Sequence, residues 1–362
     1  MVMGIKVDFE VGPSSALSAP NPFFRSKDDE KEVEKFVGEL QNLSIIREVN
    51  YAEDLVVNPV FVARNGSSAR LILNSKLVNQ NCIKLKHFKM ETLKSVLANL
   101  EEGDWFISID IRKGFHNLAL HPDHQKFFAF KWRSKFYVFQ ALPMGLREAP
   151  RLFTVIMKSL LTVLRLLGVR VFIYIDDSLL AARNPEDAHA QGIALKNLLE
   201  NAGFTVHPEK SVLIPTQRMK FLGFWIDTTE MVVELPQEKF LQLKKNLRWL
   251  KNHIRLRREI KLRKFAQIIG FLLSCVPAVP YGEVHYRDFE FFKTRALRSG
   301  GWEQMVIVPK ELLKELNWWE EKSPPLQRSF REKSISHKIY TDASSGDGWG
   351  LLAFGEKQKK IV

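Results

Sequence analysis

The chain has 362 residues, 45% hydrophobic, 11% aromatic and 26% charged, which is too long for one small module and too apolar for wholesale disorder. Lys and Arg outnumber Asp and Glu 54 to 41, a formal charge of +13, so the expected partner is a polyanion, nucleic acid or an anionic membrane surface, with no reaction implied. Cys82 and Cys275 are the only cysteines, too few for a disulfide framework or a cysteine-rich zinc site, and a reducing, intracellular compartment is the default.

At the start, Asp8 and Glu10 stand where a secretory signal needs a basic and then an apolar run, and the most apolar stretches are broken by Arg165, Arg170, Ser274 or Pro277. Neither a signal nor a membrane span is read. Residues 12–21 turn to Pro, Ser, Ala and Gly, which predicts a flexible leader over 1–27. Val33, Phe36, Val37 and Leu40 then repeat at helical spacing behind an acidic first turn, predicting a helix over 28–43. Residues 56–62 and 70–73 are β-rich runs flanking Asn65-Gly66, the strongest short hairpin signal. Helix is expected over 91–100, a buried strand over 105–111, and a long Leu- and Val-rich helix over 149–167. Two apolar strands, 169–175 and 178–182, are separated by Asp176-Asp177 and followed by a helix over 185–202. Strands and helices interleave without the period of a parallel sheet, so the fold class is α+β.

Asp176-Asp177 is a poor choice for a plain two-residue turn, which favours Asn-Gly or Asp-Gly. Adjacent carboxylates repel unless a cation compensates. Asp110 ends the 105–109 strand, and a sheet that sets this strand beside the Asp176 hairpin would gather three carboxylates. Oxygen-only ligands of that kind suit Mg²⁺ shared with phosphate oxygens, as in two-metal phosphoryl transfer. A solvated turn with an unrelated helix cap at Asp110 is the bland alternative on these residues alone.

Tyr174-Ile175-Asp176-Asp177 resembles the signature of reverse transcriptases, and other blocks agree in order and spacing over most of the chain. The resemblance implies a right-hand polymerase with an antiparallel palm sheet. Its divisions here would be fingers 28–100, palm 101–235 with 116–150 partly fingers, thumb 236–300, connection 301–335 and an incomplete ribonuclease H-like start over 336–362. It further implies catalysis by Asp110, Asp176 and Asp177, with two Mg²⁺ ions (or Mn²⁺) held by Asp110, Ile111, Asp176 and Asp177.

Phe115, closing the block Asp110-Ile111-Arg112-Lys113-Gly114-Phe115, would be the steric gate: a ring against C2′ leaves a ribose hydroxyl neither space nor acceptor. Met144 and Gly145, in Leu142-Pro143-Met144-Gly145-Leu146-Arg147-Glu148-Ala149-Pro150, would pack on the nucleotide and templating base. Met144 departs from the Gln or Phe common in relatives. Arg64 and Arg70 on the expected hairpin would grip the triphosphate, with Lys76 beyond, because guanidinium groups match phosphate oxygens bidentately. Lys210, in the block 202–210, would lie near the leaving pyrophosphate as an acid. Phe221, Leu222 and Gly223 would form a primer grip.

Residues 239–264 carry an apolar stripe of Phe240, Leu243, Leu247, Leu250 and Ile254 opposite a basic face that includes Lys244, Arg248, Lys251 and Arg255. That face would meet template–primer phosphates, although a basic helix of this kind also suits a membrane surface or a partner. Ile339-Tyr340-Thr341-Asp342 with Gly348-Trp349-Gly350 resembles the opening of ribonuclease H, Asp342 its first ligand. The later carboxylates that fold requires are not in the sequence, so no hydrolytic activity is expected. His121-Pro122-Asp123-His124 is read as a surface turn and not a zinc pair, since Pro122 interrupts any helix that would align the imidazoles.

The resemblance therefore implies an RNA-directed DNA polymerase of a retroelement, with RNA template, primer–template duplex and deoxynucleoside triphosphates as partners and no membrane. Residues 277–297 look most similar to the DIRS group of LTR-like elements. A polymerase making RNA is the near alternative, opposed by Phe115; an inactive or repurposed nucleic-acid-binding remnant is the distant one, disfavoured by the intact carboxylates.

Overall fold

The computed structural model describes residues 4–20, 27–65, 68–322, 324–331, 337–343, 349–355 and 358–361. Gly66 and Ser67 of the expected hairpin tip, and Ser344 to Gly348, lie outside them. The chain divides into two compact units, residues 1–229 with 234–249 and residues 230–233 with 250–362.

The first unit begins with a segment that is packed and not the flexible leader expected from its composition. Ile5 donates to the Ala119 carbonyl at 2.7 Å, Val7 to Nδ1 of His124 at 3.1 Å and Glu10 to the Cys82 carbonyl at 2.9 Å, and the Val7 side chain is buried. Periodicity could not show this, because the backbone makes the attachment. Helix α1 (Lys27–Asn42) buries Val33, Val37 and Leu40 behind acidic Asp28, Asp29 and Glu30, which suit the positive end of the helix dipole. Strand β1 (Ile46–Val49) follows, then the hairpin of β2 (Val60–Asn65) and β3 (Ser68–Leu73).

Short helices α2 (Lys76–Asn81) and α3 (Leu93–Leu97) lead to β4 (Trp105–Asp110). The helix expected over 91–100 shrinks to α3, whose start is fixed by a capping box between Thr92 and Ser95. The short helix α4 (Pro122–Gln125) follows, with β5 (Ala129–Trp132) and β6 (Lys135–Phe139). Helix α5 (Ala149–Leu166), strands β7 (Arg170–Tyr174) and β8 (Asp177–Ala182), helix α6 (Pro185–Asn201) and strand β9 (Val212–Thr216) come next, and a hairpin of β10 (Arg218–Phe221) and β11 (Phe224–Asp227) ends the run.

The central sheet is antiparallel in the order β7-β8-β4-β9, and a second has the order β1-β6-β5. Phe153, Met157 and Leu161 of α5 and Leu195 and Leu199 of α6 join Ile107, Ile109, Val171 and Ile173 of the central sheet in one buried core. Asp104, 1% exposed, is held by Arg170 through two charge-assisted hydrogen bonds of 2.7 and 2.5 Å, a buried pair that ties the approach of β4 to β7.

Strand β12 (Val232–Glu234) and helix α7 (Gln237–Arg255) run across the division in the chain. The apolar stripe expected on α7 is buried throughout, from Phe240 to Ile254. In the second unit, β13 (Ile260–Lys261) precedes helices α8 (Leu262–Leu273) and α9 (Arg287–Gly300), and β14 (Met305–Val306) pairs back on β13. Helix α10 (Leu313–Glu321) and strand β15 (Gln327–Ser329) lead to an antiparallel sheet of β16 (His337–Ala343), β17 (Trp349–Gly355) and β18 (Gln358–Ile361). Phe265, Ile269, Phe289 and Trp319 are fully buried here. Among the described residues no helix is long and apolar enough to cross a membrane.

Candidate active site

Strand pairing does what the sequence asked of it. The β4–β8 register sets Asp110 directly opposite Asp177, and the β7–β8 register sets Tyr174 opposite Asp177. The two-residue turn is therefore Ile175-Asp176, one position earlier than the Asp176-Asp177 turn read from sequence, and Asp177 is the first residue of β8. Ile175 takes the left-handed conformation at φ 54°, unfavourable for a β-branched residue by about 1–3 kcal/mol and characteristic of functional turns. The Ile111 amide donates to the Asp176 carbonyl at 2.9 Å, which closes the turn against the end of β4.

The carboxylates feel one another. The Asp177 carboxyl is pushed up to about 6 by burial first, then by the charges of Asp176 and Asp110 and a hydrogen bond with Asp110. Lys210 works in the other direction, with its Nζ 3.9 Å from Asp110 Oδ1. The Asp110 backbone is fixed on both sides: its amide donates to Ser211 Oγ at 3.1 Å and its carbonyl accepts from the His207 amide at 2.8 Å. Sequence reasoning missed Ser211 and His207; their only signal was proximity to Lys210.

A cavity of about 340 Å³ opens onto this site, walled by Asp110, Asp176, Phe115, Met144, Arg70 and Lys210 among others. Phe115 packs edge-on against Phe153 with centroids 5.6 Å apart, so its ring is braced from α5. Gly114 lets α5 and the turn close in, since a Cβ there would stand 3.3 Å from Asp176 Cβ and 3.4 Å from the Phe153 ring. Gly145 is required outright: at φ +115° its Cβ would fall 1.9 Å from the Leu73 carbonyl oxygen. Leu73 donates to the Met144 carbonyl at 2.9 Å, and the Asn79 side chain bridges the Gly145 carbonyl and the Arg147 amide at 2.8 and 2.9 Å. The 142–150 block is thus pinned to the base of the β2–β3 hairpin. His116 also walls the cavity; burial and Lys113 push its imidazole down to about 4, so it is neutral near pH 7.

The remaining candidates are placed as follows. Arg64 does not wall the cavity; it is ion-paired to Asp29 at 2.6 Å and to Glu32. Lys76 is exposed on α2. Leu222 (φ 49°) and Gly223 (φ 80°) form the β10–β11 turn, the double positive φ of a tight hairpin, with Phe221 and Phe224 buried beneath. On α7, Arg248 and Arg255 are exposed, Lys244 lies 5.4 Å from the Phe240 ring, and Lys251 is ion-paired with Glu320. Asp342 is exposed on β16 opposite Gly350. The His121-Pro122-Asp123-His124 run is a helix start: Nδ1 of His121, which is 7% exposed, accepts from the Asp123 amide and Nδ1 of His124 from Val7. A surface turn was expected; Pro122 and Asp123 are exposed, but they open a helix, and the half-buried His124 ring holds the N-terminal segment.

Among the described residues no group of three or more His, Cys, Asp or Glu side chains is already drawn together as a metal shell. The donor set still fits a hard divalent cation. It is oxygen-only, and the Asp177 carboxyl, raised by burial and then by the charges of Asp176 and Asp110, is one whose ionised form such a cation favours.

Compared with known proteins, the chain is similar in structure to the foamy viral protease-reverse transcriptase in complex with RNA/DNA hybrid, with a TM-score of 0.67 at 20% identity over 98% of this chain and 44% of that one. A foamy viral protease-reverse transcriptase dRH in complex with double-stranded DNA gives 0.66 at 19% identity, over 97% and 59%. The fold is thus that of the right-hand polymerases. Within it, residues 62–226 match the family described as reverse transcriptase (RNA-dependent DNA polymerase). Relatives include the enzymatic polyprotein of Cestrum yellow leaf curling virus, 26% identical over 60% of this chain and 34% of the relative. Protein P of duck hepatitis B virus (strain United States/DHBV-16) is 28% identical over 50% and 22%. The matches thus span about a third or less of these relatives' own length.

Proposed function

We propose that the chain adds deoxynucleotides to a primer 3′ end on an RNA template, as an RNA-directed DNA polymerase. The observation that carries this is the register that opposes Asp110 to Asp177, with Asp176 at the turn and at the wall of a cavity that also holds Phe115 and Arg70. The reverse transcriptase match over 62–226 supports the same reading.

Asp110, Asp176 and Asp177, with Ile111 beside them, would hold two Mg²⁺ ions, for which Mn²⁺ can substitute; when bound, such ions favour ionisation of an attacking hydroxyl and neutralise charge on a leaving oxygen. The chain's own residues do the rest. Arg70 binds triphosphate oxygens as a permanent cation. Phe115, fixed by Phe153, occupies the space a 2′-hydroxyl would need. Lys210, its Nζ 3.9 Å from Asp110 Oδ1, would donate a proton towards the leaving phosphate. Met144 and Gly145 form the adjoining wall. Phe221, Leu222 and Gly223 hold the primer end, and Lys244, Arg248 and Arg255 meet template–primer phosphates; Lys251 is committed to Glu320. Residues 337–343 and 349–355 would be the opening hairpin of a ribonuclease H-like fold, with Asp342 on its first strand. The DIRS-group origin, suggested by residues 277–297, belongs to this proposal.

Primer extension on an RNA template tests it. Wild-type protein should add deoxynucleotides with Mg²⁺ or Mn²⁺, and Asp176→Asn should not. No extension by wild type with either ion would refute the activity, and equal extension by Asp176→Asn would refute the metal assignment.

A further inference from the structure

Arg64 and Arg70 share one hairpin but not one face of it. The register pairs Arg64 with Ala69 and Ala63 with Arg70. Directly opposed residues share a face and successive residues alternate, so the two guanidinium groups leave the ribbon on opposite sides. Arg70 reaches the cavity. Arg64 reaches α1, where Nη2 lies 2.6 Å from Asp29 Oδ1 and pairs also with Glu32.

The α1 residues involved form a single stripe. Asp29, Glu32, Phe36, Glu39 and Leu40 follow one another at spacings of three, four, three and one, which places them along one side of the helix. Phe36, Glu39 and Leu40 are cavity wall. One side of α1 therefore both walls the cavity and holds the hairpin. Near its base the hairpin is held by apolar packing, with Val60, Leu71 and Leu73 buried in the same core as Val33 and Val37. Towards the tip that packing runs out: Ala63 is only partly buried, and Arg64 is exposed. At that level the Asp29–Arg64–Glu32 clasp joins β2 to α1.

We propose that Asp29, Glu32 and Arg64 form a brace that fixes the outer part of strand β2 on α1 and so presents Arg70 of the paired strand to the incoming triphosphate. Arg64 is a positioning residue acting through Arg70, not a phosphate ligand. The inference rests on the nucleotide-addition reading above and reassigns one residue of it.

The test is an equilibrium titration of deoxynucleoside triphosphate onto protein bound to a dideoxy-terminated template–primer, alongside single-turnover incorporation. Each exposed ion pair contributes a factor of up to about five. The double variant D29N/E32Q should raise the triphosphate Kd about three- to tenfold at unchanged saturating rate, and R64A should match it. Adding R64A to D29N/E32Q, or to R70A, should cost little more, and R64K should restore most of the loss. Amides of β3 should exchange faster in D29N/E32Q than in wild type. A Kd that falls or stays constant in D29N/E32Q while R64A raises it would make Arg64 a phosphate ligand and overturn the brace. So would additive losses in R64A and R70A, or unchanged amide exchange. Failure of wild type to bind nucleotide at all would instead overturn the polymerase reading.

Discussion

Replacing Asp177 by Asn should stabilise the metal-free protein, and only above a defined pH. Asp177 titrates near 6 in the folded chain against an ordinary value of 3.8. Below about pH 4 the carboxyl is neutral in both folded and unfolded chains, and the substitution changes little. Between 4 and 6 the unfolded chain ionises freely while the folded one resists, so folded stability is lost as pH rises and the deficit is complete above 6. The interval corresponds to at most about 3 kcal/mol. Asp177 is crowded by protein but keeps part of its surface open to solvent on β8, and screening reduces this to about 1 kcal/mol, or about 2–4 °C in Tm for a body of this size. Thermal denaturation of wild type and Asp177→Asn in chelator at pH 4 and pH 8 should show the gain at pH 8 alone. Added Mg²⁺ should close the gap by raising wild type only. A variant less stable at pH 8, or equally shifted at both pH values, would refute the claim that burial and the neighbouring acids disfavour ionised Asp177.

Phe115→Val should leave deoxynucleotide addition largely intact and relax discrimination against ribonucleotides by about 10- to 200-fold, read from the ratio of kcat/KM for the two sugars. Gly145→Ala should destabilise by about 2–4 kcal/mol in urea denaturation, because backbone at 1.9 Å cannot yield as a side chain can. Arg170→Ala should cost about 3–5 kcal/mol in the same assay by leaving Asp104 buried without its cation; a loss below 1 kcal/mol would contradict that role.

Much of the site was legible because its strands are apolar runs interrupted by charge. The 105–111 run could only be a buried strand with a carboxylate at its end, and β7 and β8 flank acids that no ordinary turn prefers. The one-residue error at the turn arose because Ile175, not an Asp, adopts the positive φ, against what a β-branched side chain favours. The β5–β6 pairing was not anticipated: Arg133 takes φ 53° at a turn with neither Asn nor Gly. The N-terminal attachment was hidden for a different reason, since its hydrogen bonds come from backbone and from the His124 ring, which no local periodicity marks. Arg170 and Asp104 are 66 positions apart, a distance at which no local pattern exists. The separation of Arg64 from Arg70 needed only the register, which the sequence offered through Asn65-Gly66 but which became definite in the pairing of Arg64 with Ala69.

Mn²⁺ binding, followed by electron paramagnetic resonance in the presence of template–primer and a deoxynucleoside triphosphate, addresses the three acids most directly. Wild type should bind two ions per chain, and Asp110→Asn or Asp177→Asn should lose at least one. Wild type that binds Mn²⁺ no better than these variants would contradict the account.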